Sequence, residues 1–143
     1  MTRGGVDSIV VRRHLLALDA ALGRLRRHVG RPLAELAADA DERWLVERGL
    51  QLCAQNALDV ATHLVAAAGR DAPDYATAID RLAELGVVPM EFAVRFRPVA
   101  GFRNVLVHGY LDVDVGRVHE ILNRRLEDFS EFARHVLVYI QSI

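Results

Sequence analysis

The sequence predicts an all-α protein: an up-down helical bundle of four long helices plus a short extra helix, built as one helical domain over residues 1–143. Three observations predict it. Apolar residues recur at alternating steps of three and four along most of the chain, the mark of helices with one buried face. No segment alternates with a period of two or places a hairpin turn between apolar runs. Glycine and proline are sparse and punctuate the periodic stretches. A chain of 143 residues buries roughly two-thirds of its unfolded surface, enough for one core without covalent staples.

Val11, Leu15, Leu18, Leu22, Leu25 and Val29 form the seam of the first helix, which Asp7 or Ser8 caps and Gly30 with Pro32 ends. The second helix runs from about Asp41 to Ala68. Its apolar face carries Val46, Leu50, Cys53, Ala57, Ala61, Leu64 and Ala68, and Gly69 stops it. Cys53 therefore reads as a core residue rather than a nucleophile, and Trp44 is expected to pack near the start of that helix. Pro73-Asp74 opens a short third helix to Leu85, closed by Gly86. Pro89 suits the first turn of a fourth helix, which reaches His108 and stops at Gly109. Pro98 lies inside it, so a kink or short break is expected near Phe96. Asp114 caps a fifth helix through Val118, Leu122, Phe129, Val136 and Ile140.

Composition narrows the function classes. The net charge of −1 and pI of about 6.6 give no bulk field for nucleic acid, so any such contact must be local. Every one of the 18 basic residues is arginine, whose planar fork suits bidentate phosphate contacts. The single cysteine excludes an internal disulfide framework and a cysteine-based zinc site. His14, His28, His119 and His135 show no metal-ligand spacing with one another; His28 and His135 read as surface residues and His63 as peripheral. No cofactor is expected. No apolar run approaches the roughly 20 residues of a membrane span, and the N-terminus lacks a secretory signal, so the expected location is cytoplasmic, with no membrane partner.

The densest polar cluster in an apolar frame is Phe102-Arg103-Asn104-Val105-Leu106-Val107-His108-Gly109-Tyr110. An arginine, a histidine and a tyrosine can act together on a phosphate ester. Arginine supplies fixed positive charge for phosphoryl oxygens, histidine moves a proton near neutral pH, and tyrosine offers a hydroxyl and a stacking face. Positions five apart on a helix differ by roughly 140°, so Arg103 and His108 do not share a face. A site composed from two chains relaxes that constraint. The alternative is purely structural: an ion pair at Arg103, His108 at a helix C-terminus where positive charge is favoured, and Tyr110 in packing.

The run Arg103-Asn104-Val105-Leu106-Val107-His108-Gly109-Tyr110 resembles the Arg-x-x-x-x-His-x-Tyr signature of HEPN-domain ribonuclease toxins of the HepT type. Asn104 meets that family's polar position after the arginine. The resemblance extends to Arg48-Gly49-Leu50-Gln51, to Asp59 through Leu64, to the Tyr75–Leu85 helix with Gly86-Val87-Val88, and to Leu111 through Asp114. It covers about residues 9–140. It implies a HEPN-like helical homodimer with its two motifs facing each other in an interfacial cleft, acting as a metal-independent endoribonuclease on RNA. Arg103 and His108 are then the catalytic pair and Asn104 their support. It further implies a partner, a nucleotidyltransferase antitoxin similar to MntA, which silences the toxin by transferring AMP to Tyr110. This is a type VII toxin–antitoxin arrangement. A second reading is a non-catalytic helical companion of a nucleotidyltransferase, and a third a structural dimerisation bundle.

Other arginines are candidates for guiding RNA: Arg24, Arg26, Arg27 and Arg31 at the end of the first helix, Arg124 and Arg125 after the motif, and above all Arg95 and Arg97 before it. Gln51, Gln55, Asp59 and Thr62 form a polar stripe on the second helix at steps of four and three. This stripe either lies near the motif or forms a solvated flank.

Overall fold

Asp7, Asp39, Asp74 and Asp114 each stand at a helix N-cap, where their carboxylates accept from the backbone N–H groups of Ile9 and Val10, Glu42, Thr77 and Gly116. The computed structural model describes residues 2–3, 5–109 and 111–143. Among them are eight α-helices: α1 (Ser8–Leu25), α2 (Leu33–Ala38), α3 (Ala40–Ala67), α4 (Tyr75–Glu84), α5 (Met90–Phe96), α6 (Val99–His108), α7 (Val115–Arg124) and α8 (Leu126–Ser142). The all-α bundle is as expected. α3 is its axis: α1, α4, α6, α7 and α8 all pack on it. No helix among the described residues is long and apolar enough to cross a membrane.

The departures have local causes. Both C-terminal helices of the expected bundle are divided in two. Pro98 cannot donate the hydrogen bond that would continue α5 into α6, which is the break expected near Phe96. The second division was not foreseen, since Arg125 is neither proline nor glycine; its backbone leaves helical geometry at φ −122°, ψ −2°. This lets α7 pack on α2 and α3 while α8 packs on α1 and α3. A 3-10 turn over Arg26–His28 ends α1, so the period is lost and Val29 is exposed rather than in the seam. Ala68 is likewise an exposed cap beyond the buried face of α3. Two two-residue strands, β1 (Thr2–Arg3) and β2 (Val6–Asp7), pair antiparallel where no hairpin was expected. Gly5 makes their turn at φ +84°, and a Cβ there would sit 2.6 Å from the Ala67 carbonyl oxygen, so only glycine fits. The Asp7 N–H donates to His63 Nε2 at 2.9 Å, giving the histidine read as peripheral a partner in the hairpin.

Trp44 does not pack: it is 73% exposed. Val46 holds the inward position, and two residues along a helix turn the side chain by roughly 200°. His28 and His135 are half-buried and paired, His28 Nδ1 with Glu42 Oε2 at 2.9 Å and His135 Nε2 with Glu131 Oε2 at 3.1 Å. Gly49 lies against Leu25, where a Cβ would come within 2.6 Å of a leucine methyl; the small residue lets α1 and α3 approach closely. Around α5 the core is aromatic. The Phe96 ring stacks with Phe92 and Phe132, each at 5.1 Å, and meets Phe129 edge-on at 5.5 Å.

Cys53 is a core residue as expected, fully buried on α3. Burial pushes its thiol from an ordinary 9.0 up to about 12. A thiol reagent at about pH 8 should leave Cys53 unlabelled until the chain unfolds. Because the folded value lies above the unfolded one, the contribution is complete below the unfolded pKa and declines as pH rises toward about 12. Denaturant titrations across alkaline pH check the sign: a stability that increases there contradicts it.

Candidate functional site

The break at Pro98 starts α6, and Ala100, Phe102 and Leu106 pin its inner face to the core. With those positions inward, Arg103 is left half-buried at the flank and Asn104, Val105 and His108 are exposed. The Arg103 guanidinium is held on three sides. Its Nε donates to Gln55 Oε1 at 2.8 Å and its Nη1 to Asn104 Oδ1 at 3.0 Å. Its Cζ lies over the Tyr75 ring, 5.1 Å from the centroid. Gln55 is itself oriented, because its Nε2 donates to Asp59 Oδ1 at 2.7 Å; the Tyr75 hydroxyl oxygen lies 3.5 Å from the same nitrogen.

His108 is the last residue of α6 and is exposed. The Gly109 N–H closes the helix on the Val105 carbonyl at 2.9 Å. The structure thus brings Arg103 and Asn104 into direct contact and leaves His108 about 1.4 turns away on the same helix. Tyr110 lies outside the described residues. Beyond it, Leu111 is 84% exposed and joins Val113 and Val115 against Arg43, Trp44 and Glu47 of α3 in a recess of about 360 Å³. Burial raises the Glu47 carboxyl above its ordinary pKa, partly opposed by Arg43 beside it.

The polar stripe is divided. Gln55 and Asp59 join the motif arginine, whereas the exposed Thr62 hydroxyl turns back to the Leu58 carbonyl at 2.9 Å. Tyr75 went unnoticed as a site residue. It is the first residue of α4, and only the packing of α4 and α6 on α3 brings it to Arg103; nothing in its sequence surroundings signals that contact. Arg95 and Arg97, the favoured guides for RNA, are taken by carboxylates: Arg95 by Asp128 at 3.2 Å and Glu131 at 2.7 Å, Arg97 by Asp80 at 3.1 Å. Arg26 and Arg31 are paired too, with Glu127 and with Glu35 and Glu42. Among the described residues, no group of three or more histidine, cysteine or carboxylate side chains is placed to hold a metal ion.

A family model described as ribonuclease HepT-like matches residues 18–136, which includes the whole of this site. The chain belongs to the HepT-like ribonuclease family. A curated relative in that family, the tRNA nuclease HepT of Aphanizomenon flos-aquae, is 23% identical over 137 residues, covering 94% of this chain and 92% of that protein. Two solved structures share the HepT-like fold. The tri-AMPylated HEPN toxin of Shewanella oneidensis, in complex with an MNT antitoxin, superposes with a TM-score of 0.80 at 18% identity over 90% of this chain and 97% of the other. The cytosolic protein YutE of Bacillus subtilis superposes with a TM-score of 0.84 at 17% identity over 96% and 93%.

Proposed function

We propose that this HepT-like chain is the toxin of a toxin–antitoxin pair, an endoribonuclease that cuts RNA without a metal ion. The observation that carries the reading is the intact pair of Arg103, fixed by its neighbours, and His108, open to solvent on the same helix. RNA brings its own nucleophile, the 2′-hydroxyl. His108 takes the proton as O2′ attacks phosphorus, the P–O5′ bond breaks, and an imidazolium protonates the leaving 5′-oxygen. Arg103 meets the charge on the phosphoryl oxygens, and Asn104 holds one edge of the guanidinium.

In this reading the working site is a homodimer, as the HepT resemblance implies, with the arginine of one subunit serving a phosphate beside the histidine of the other; the roughly 140° between Arg103 and His108 around the helix suits such a composite site. Val105 is 45% exposed between them, and Trp44, Leu52 and Leu111 add exposed apolar surface of the kind an interface covers. Regulation in this reading is adenylation of Tyr110: the phenol oxygen attacks the α-phosphorus of ATP and pyrophosphate leaves. A nucleotidyltransferase antitoxin of the MntA type supplies the reaction, and the bulky anion competes with RNA phosphate for Arg103. The AMPylated Shewanella toxin supports this step.

Transfer RNA is the first substrate to offer, from the name of the Aphanizomenon relative. Unmodified protein is expected to cut it in EDTA, and a substrate carrying 2′-deoxyribose at the cut position should survive. Loss of cutting on chelation overturns the metal-free mechanism. Tight binding of a transferase with no RNA cleavage by unmodified protein returns the non-catalytic companion. After treatment with the transferase and ATP, the adenylate should map to Tyr110; a bare Tyr110 with AMP elsewhere refutes the regulatory step.

A further inference from the structure

We infer that Gln55 and Tyr75 are positioning residues that fix the Arg103 guanidinium for phosphate while leaving its charge uncompensated; the inference rests on the ribonuclease reading above. The contrast with the neighbouring arginines carries it. Arg95 and Arg97 are each held by carboxylates, which neutralise them in place. Arg103 is held by neutral groups: an amide oxygen at 2.8 Å, a second amide oxygen at 3.0 Å and an aromatic face at 5.1 Å. The nearest carboxylate in this chain of contacts, Asp59, is one residue removed and bonds to Gln55 rather than to the arginine. By accepting the Gln55 N–H it turns the amide oxygen toward Arg103. A guanidinium has five N–H donors in a rigid plane. Gln55 and Asn104 take the Nε–H and one Nη1–H, and the Tyr75 ring fixes the plane from one side. The Nη2 edge carries no partner among the described residues. A cation fixed in this way needs no reorganisation when phosphoryl charge develops, and small misplacements of such a group cost up to about 100-fold in rate.

The test compares Gln55→Leu, Gln55→Glu, Tyr75→Leu and Tyr75→Phe in the full-length protein, with two readouts. One is the Arg103 Nε–H resonance in a 1H–15N spectrum, assigned with Arg103→Lys. The other is steady-state cleavage of transfer RNA. Gln55→Leu and Tyr75→Leu should lose the slowly exchanging Nε–H signal and roughly 10- to 100-fold of kcat, both read at a temperature where circular dichroism shows the variants folded. Tyr75→Phe keeps the ring face and should retain both signal and rate. Gln55→Glu should keep the Nε–H signal yet raise KM, because a carboxylate now competes with the substrate phosphate. An Nε–H signal that is equally protected in all four variants overturns the clamp, whether or not RNA is cut. A signal lost without any fall in kcat overturns the positioning role. A wild-type protein that cuts no RNA refutes the ribonuclease reading, while the resonances still decide whether the clamp exists.

Discussion

Alanine at His108 is expected to slow RNA cleavage roughly 10²- to 10⁴-fold, the usual worth of a positioned proton-transfer group. Stability should hardly move, because His108 is exposed at the last turn of α6 and takes no part in the core. Arg103→Ala should cost roughly 10²- to 10³-fold, as for other groups that stabilise developing oxyanion charge. The two variants should also complement each other. In a mixed dimer with one subunit Arg103→Ala and the other His108→Ala, one composite site regains both groups and the second loses both. Mixing the two dead proteins under subunit exchange should therefore restore a fraction of wild-type cleavage, measurable on labelled transfer RNA. Restoration is absent if both groups act from one chain. Full activity of either purified variant removes the pair from the mechanism.

Phe96→Ala carries the largest expected effect on stability, about 3–5 kcal/mol for a fully buried aromatic. Its ring touches Phe92, Phe129 and Phe132 at once, so the cavity opens among α5 and α8 and the site cannot readily collapse. Urea unfolding followed by circular dichroism measures the loss; a change below 1 kcal/mol contradicts this account of the core. Phe96 also ends α5 two residues before Pro98. The variant should consequently loosen the start of α6 and lower cleavage even where the fold survives, an effect that Phe96→Leu should largely repair.

The helical elements were largely legible because each signal is local. A three-four apolar period, an aspartate cap and a terminal glycine act within a turn or two of one another. They placed α1, α3 and α4 within a few residues and marked the break at Pro98. The division at Arg125 was invisible, since no residue there forbids a helix; it arises from α7 and α8 packing against different neighbours. Trp44 shows the same limit. It was expected to pack near the start of its helix, yet its angle around α3 relative to Val46 leaves it in solvent.

By itself the sequence determined an all-α chain, a buried unreactive Cys53, and the spacing that puts Arg103, Asn104 and His108 on one helix, with Tyr110 two positions further along the sequence. Only the tertiary structure decided what surrounds the arginine. Gln55 is 48 positions from Arg103, and Tyr75 reaches the same guanidinium from a third helix. Sequence periodicity says which side of a helix faces inward, but not which side chain of another helix meets it there. That choice follows from how α3, α4 and α6 cross, and it made Arg103 a held cation with neutral partners while Arg95 and Arg97 were spent on carboxylates.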